Sequence, residues 1–197
     1  TSDSGSAGTL TLGNAAAESS GGTLNANVTL QSDSQMTVEA GSFTVDKITA
    51  TEGTVAVNAG ANLTTTQDFT VGDAINNKTG TIDAAGSITA GKVDLQQGTV
   101  AVTGSLTANE LSVGTSNKEG TVNAAGTVDV DTLNLNKGNV EVTGSLTAKT
   151  LTVGDSDAKI AVGAADSAGT LTAEDVKLGG ASLMLDPAWE DGSTIQT

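Results

Sequence analysis

The feature that most limits what this chain can become is a unit that it repeats. GNVEVTGSLTAKTLTVG, from Gly138 to Gly154, and GTVAVTGSLTANELSVG, from Gly98 to Gly114, match almost position for position. Within the first copy, three runs alternate apolar with polar residues: Asn139 to Val142, Ser145 to Ala148 and Thr150 to Val153. Successive side chains of a strand point to opposite sides, so each run reads as a strand with one buried face, shared by Val140, Val142, Leu146, Leu151 and Val153. Gly138, Gly144 and Gly154 punctuate the runs, as sharp corners require. No single unit of this kind can bury its inner face. It needs copies above and below.

Those copies are legible along the chain. GTVNAAGTVDVDTLNLNK (Gly120 to Lys137) and GTIDAAGSITAGKVDLQQ (Gly80 to Gln97) are shorter relatives, and GTVAVNAGANLTTTQDFTVG (Gly53 to Gly72) has an irregular middle. QMTVEAGSFTVDKITATE fits the short type, while LTLGNAAAESSGGTLNA near the start parallels IAVGAADSAGTLTA near the end. The turns are therefore 8–34, 35–52, 53–79, 80–97, 98–119, 120–137, 138–158 and 159–180, with a partial or capping turn at 181–197 that carries Pro187 and Trp189. As far as residue 158, long turns alternate with turns of eighteen residues, a two-turn period of roughly forty. The extra residues collect after the third run, at Asp73 to Thr79, Thr115 to Glu119 and Asp155 to Ala158, so these excursions should project from one corner.

The fold expected is all-β: a parallel β-solenoid, or β-helix, of three short strands per turn and eight to nine turns, forming one domain over residues 1–197. A β-sandwich also uses short, regularly spaced strands, but near-identity of whole three-strand units is harder to obtain in one. Open strand edges invite aggregation, and the ends of the stack carry no obvious polar cap. The expectation is a fragment of a longer surface protein. Thr1 to Ser6 does not read as a secretory leader.

Composition narrows the function. The net charge of −15, with eight scattered lysines as the basic residues, disfavours nucleic acid and anionic membranes, which need clustered positive charge. No cysteine, histidine, arginine or tyrosine is present. Disulfides, thiolate metal sites and most catalytic bases go with them. Enzymes that cut acidic polysaccharides on similar solenoids use clustered acids on one outer face. Here the outward column of the first strand reads Ala56, Asp83, Ala101, Asn123, Glu141, with its two acids several turns apart. No catalytic residue, cofactor or resident metal is expected. Asp155, Asp157 and Asp73 are oxygen donors of the kind calcium prefers, but read more simply as solvated acids in turns.

The second run gives the most regular outer column, pairing Ser42 with Thr44, Ser87 with Thr89, Ser105 with Thr107 and Ser145 with Thr147, and broken by Thr127 and Asp129. Such threonine arrays resemble those of ice-binding solenoids, although threonine and serine simply suit an exposed strand face. Trp189 reads either as a ligand-stacking residue or as a plug at the end of the stack.

GTVAVTGSLTA, GNVEVTGSLTAKTLTVG and GTLTL resemble the passenger regions of bacterial autotransporter adhesins of the self-associating and diffuse-adherence types, over nearly all of Gly8 to Gly180. The resemblance implies a right-handed β-helix displayed on the outside of the cell. It also implies adhesion to a host protein, a glycan or the same protein on a neighbouring cell, with membrane contact only through an anchor domain outside these residues. Many weak polar contacts made in parallel would supply the affinity. The candidate binding residues are Asp73, Asn76, Asn77, Asn117, Lys118, Asp155 and Asp157 in the loops, and Thr89, Thr107, Glu141, Thr147 and Thr152 on the strand faces. The alternatives are a non-binding structural stalk and a polysaccharide-degrading β-helix enzyme.

Overall fold

The computed structural model describes residues 7–16, 21–164, 166–179 and 194–196. Among these there is no helix, and the strands build a parallel β-solenoid of eight turns. One sheet stacks Thr9–Leu12, Gln35–Val38, Thr54–Val57, Gly80–Ala84, Gly98–Val102, Gly120–Ala124, Gly138–Val142 and Lys159–Val162. These strands begin within a residue or so of the turn starts that the repeats indicate. At about 4.8 Å per rung the eight turns form a stack of roughly 40 Å.

The second sheet corrects the expected three strands per turn. Ser145–Ala148 and Thr150–Val153 are two halves of one strand, Ser145–Val153, and the same holds for Ser87–Leu95, Ser105–Val113 and Thr127–Leu135. In each, two successive residues face outward at the middle. Ala148 pairs with Ala173 and Thr150 with Asp175, while Lys149 is skipped, so the inward parity slips by one residue. Every turn from Ser87 to Leu178 leaves the equivalent residue unpaired, so the strands bend together and the sheet forms two walls within single strands. Only the turn beginning at Thr54 separates them, as Asn62–Thr65 and Phe69–Val71.

Parallel sheets are usually covered on both faces. Here, among the described residues, no second layer covers the outer face, and on either side of the bend the strands alternate: Gly138–Val142 and Ser145–Ala148 bury every second residue. The inward side chains form one continuous apolar cluster from Leu30 to Ala173. Thr65, a polar residue at 4% exposure within that core, donates its hydroxyl to the Gln67 carbonyl at 3.0 Å.

The glycines at the corners serve two ends. Gly86, Gly104, Gly126 and Gly144 stack at the first corner, where an added Cβ would lie 2.1 to 2.3 Å from a backbone oxygen of the turn below. Close approach of successive turns, not an unusual φ, excludes side chains there. Gly72 and Gly114 combine that crowding with left-handed backbone (φ 77° and 71°) at the corner that launches the loops. Turns one and eight lengthen the first corner instead, after Gly13 and Gly163. Of the partial turn 181–197, Thr194–Gln196 adds a further rung beside Thr170–Thr172. Pro187 and Trp189 lie outside the described residues.

Candidate functional site

The long loops do share one corner. Residues 72–79, 114–119 and 154–158 each leave the stack on an equivalent bond: Gly72 N to Ala50 O, Gly114 N to Leu95 O and Gly154 N to Leu135 O, at 2.8 to 2.9 Å. The first loop is tightly determined. Asp73 and Lys78 exchange both backbone hydrogen bonds, at 2.8 and 3.0 Å. The Asp73 carboxylate accepts from Asn76 Nδ2 at 2.6 Å and from the Asn76 and Ile75 amides. Those donors, the Asn76 side chain foremost, hold its pKa below the ordinary carboxylate value. Lys78 pairs with Glu52 at 2.6 Å. Ile75 stands at the tip, 93% exposed.

The other two loops use the same short-range chemistry. Thr115 Oγ1 accepts from the Lys118 amide at 3.1 Å. Asp155 Oδ1 accepts from the Asp157 amide at 3.0 Å and from Ser156 Oγ at 3.3 Å, and the Asp157 amide above all keeps its pKa low. Asp157 faces Lys137 at 3.7 Å.

Loop candidates from distant parts of the sequence meet at one point. Lys118 Nζ donates to Asn77 Oδ1, which also accepts from Gln97 Nε2 at 3.3 Å. Loops 72–79 and 114–119 therefore close over the short connection at Gln96 and Gln97. On either side the corner stays open. A hollow of about 300 Å³ lies between residues 31–32 and the Asp73 loop, with Glu52 beneath it. A larger trough of about 470 Å³ lies between Thr115–Ser116 and Gly154–Asp155, with Asn136 between them, and runs down the wall over Ser112 to Asp94 and Lys92.

The strand-face candidates divide among three walls. Thr89, Thr107 and Thr147 stand in one column with Thr23, Thr44, Thr64 and Thr172, interrupted by Asp129. Beside it a second hydroxyl column is partly knitted together, Ser105 donating to Ser87 at 2.9 Å. Glu141 belongs to the other sheet, and Thr152 to the third wall with Asp94, Ser112 and Asn134. The five are not one surface.

The acids of the first wall keep the expected register. Asp83 and Glu141 share a column with Ala101 and Asn123 between them. Three rungs separate them, about 14 Å, against about 5–9.5 Å for a working glycosidase pair. Among the described residues no group of three His, Cys, Asp or Glu side chains comes together to hold a metal ion. Asp73 and Asp155 sit on turns four rungs apart.

At the bend of the second sheet, charges link neighbouring turns. Lys92 pairs with Glu110 at 3.1 Å, and Lys149 with Asp131. Glu110 also accepts from Ser112 Oγ at 2.7 Å and Asn134 Nδ2 at 3.2 Å. The Ser112 hydroxyl first, then Lys92, lowers the Glu110 pKa, and Glu110 in turn raises that of Lys92.

Asp94, Ser112 and Asn136, which line the trough, are absent from the candidates that the sequence suggests. Their signal was register: Asp94 and Ser112 are neighbours in the outward column that also holds Asn134 and Thr152, and Asn136 follows two residues after Asn134 at the loop corner. No family model, curated protein or solved structure matches the chain, and its function has to be read from its own geometry.

Proposed function

We propose that this chain is a stretch of an adhesion rod displayed outside the cell, which holds a partner surface through many shallow polar contacts. The observation that carries this reading is the wall bearing Thr23, Thr44, Thr64, Thr89, Thr107, Thr147 and Thr172 in one register. It repeats a short hydroxyl side chain on a backbone fixed by parallel hydrogen bonds. Each contact is worth little, about 0.5–1.5 kcal/mol net. Many made together on a rigid array give avidity without a deep pocket, and a preorganised face loses little entropy on binding.

Charge separates the partners that such a face could meet. A second copy carries the same −15, so self-association should strengthen as salt screens the repulsion. A cationic host surface should bind less as salt rises, and a neutral glycan should be nearly indifferent. The test is sedimentation of the full chain at low and physiological salt, together with binding of chain-coated beads to cells. Association or cell binding supports adhesion. A rod that stays monomeric at several hundred micromolar and binds no cell would refute it and favour the non-binding stalk.

A further inference from the structure

We infer that the trough between the Thr115 and Asp155 loops is a binding subsite for a neutral oligosaccharide. The inference rests on the adhesion reading and names a ligand class for one part of the rod. Three observations lead to it.

The first is shape. The trough holds about 470 Å³, within the range of small-ligand sites, about 300–1,000 Å³. It extends from Lys92 and Asp94 on the fourth turn to Asp155 on the seventh, three rungs or about 14 Å. That suits a few linked pyranose rings better than a single small molecule.

The second is the lining. The trough offers no apolar or aromatic side chain, so it selects against fatty or aromatic ligands. Ser112 is only 6% exposed and is fixed in place on the wall of the trough.

The third is hydrogen-bond polarity. Ser112 gives its proton to Glu110, so it turns acceptor lone pairs outward. Asn136 gives one Nδ2 hydrogen to the Gly114 carbonyl at 3.2 Å, and its Oδ1 remains an acceptor. Asp94 receives Gln96 Nε2 on Oδ2 at 2.9 Å, and Asp155 receives its loop donors on Oδ1, which leaves one carboxylate oxygen on each. The trough is therefore rich in acceptors, with carboxylate oxygens at Asp94 and Asp155 and further acceptors at Ser112 and Asn136, while the Thr115 and Ser116 hydroxyls between the loops can also donate and Lys92 stands at one margin paired to Glu110. An acceptor-rich trough on an acidic rod repels sulfate, phosphate and carboxylate groups, which bring only more acceptors. It matches a chain of hydroxyl groups, each able to donate to a carboxylate or amide oxygen.

The equivalent corner between the Asp73 and Lys118 loops is closed by the Lys118 to Asn77 contact, so the subsite is not repeated at every second turn. The smaller hollow beside Glu52 belongs to turns one to three and shares no lining residue with the trough, which spans turns four to seven.

The test is an array of neutral, sialylated and sulfated oligosaccharides probed with the full chain, followed by calorimetry on the best neutral hit. Neutral glycans should bind and sulfated ones should not. Ser116→Trp fills the trough from an exposed loop position and should weaken binding by about tenfold or more. Asn123→Trp, at an exposed position on the first wall away from the trough and from the threonine column, should leave glycan binding unchanged, and both variants should melt like the parent. Three results would overturn the inference: tighter binding of sulfated glycans, tighter binding of spermidine as a cationic donor, or glycan binding that ignores Ser116→Trp. Cell binding or self-association without any neutral-glycan hit would sink this subsite and leave the adhesion reading intact. Loss of all three would end both.

Discussion

Replacing Gly126 by alanine would place a methyl carbon 2.1 Å from the Gly104 carbonyl oxygen and 2.6 Å from the Thr103 carbonyl. Real side chains do not sustain contacts under 3.0 Å. The two turns must therefore part locally by about 1 Å, a fifth of a stacking distance of about 4.8 Å. The same Gly104 oxygen accepts the Thr127 amide at 2.9 Å, and that bond would stretch beyond useful length. Losing it costs about 0.5–1.5 kcal/mol, and overpacking a tight site costs about 1–3 kcal/mol. Gly126→Ala should thus destabilise the rod by about 1.5–4.5 kcal/mol. Gly91→Ala is the matched control, because nothing lies within 4 Å of its added Cβ and its φ is not left-handed. It should be neutral or stabilising by up to about 1 kcal/mol. Urea titration followed by circular dichroism, with hydrogen exchange to localise the loss, gives the comparison. A rod couples neighbouring turns only, so exchange should rise first around turns five and six. If Gly126→Ala and Gly91→Ala melt alike, crowding between turns is not what selects glycine at the first corner.

Other perturbations test the remaining layers. Leu133→Ala, which empties a fully buried site stacked between Leu111 and Leu151, should cost about 2–5 kcal/mol in the same titration. Glu110→Gln should lower the urea midpoint at neutral pH. Because the folded state lowers the Glu110 pKa, the stability that its ionised form adds is present above the unfolded-state pKa. It fades as pH falls through the folded value, so wild type and variant should converge in acid. At the alkaline end the sign reverses for Lys92, whose raised pKa means its contribution fades as pH rises through the folded value. Asp129→Thr restores the threonine column between Thr107 and Thr147. It should raise stability by up to about 1 kcal/mol, since aspartate is poorly suited to a strand, and a lower midpoint would count against that view of the wall.

Much of the fold could be read before any coordinates, because a solenoid writes its architecture as periodicity. Val140, Val142, Leu146, Leu151 and Val153 were expected to point inward together, and all are buried. The missed continuity of Ser145–Val153 has a definite cause. Alternation slips between Ala148 and Leu151, and a slip looks like a break when only side-chain pattern is visible, whereas the backbone ladder simply skips Lys149. Gly144 and Gly154 look alike in the sequence. An added Cβ meets backbone at 2.2 Å in one and nothing nearer than 3.8 Å in the other.

The candidate site was legible only in outline. Turn lengths placed the loops at a common corner, yet the Lys118 to Asn77 contact joins residues forty-one apart, which no local pattern announces. Ser112 follows the outward alternation and is nevertheless buried, among the Glu110 carboxylate and the loops around it.

The alternation of long and short turns also bears on how such a rod lengthens. Gly98, Gly120 and Gly138 stack in one column, with a long turn and then a short one between them. Duplicating both turns together would insert two rungs and one more loop, with every wall still in register and a new gap between loops beside the old ones. Duplicating one alone would set two loops or two tight connections side by side and erase a gap. The unit that lengthens the rod while keeping its pattern of loops is therefore the pair of turns.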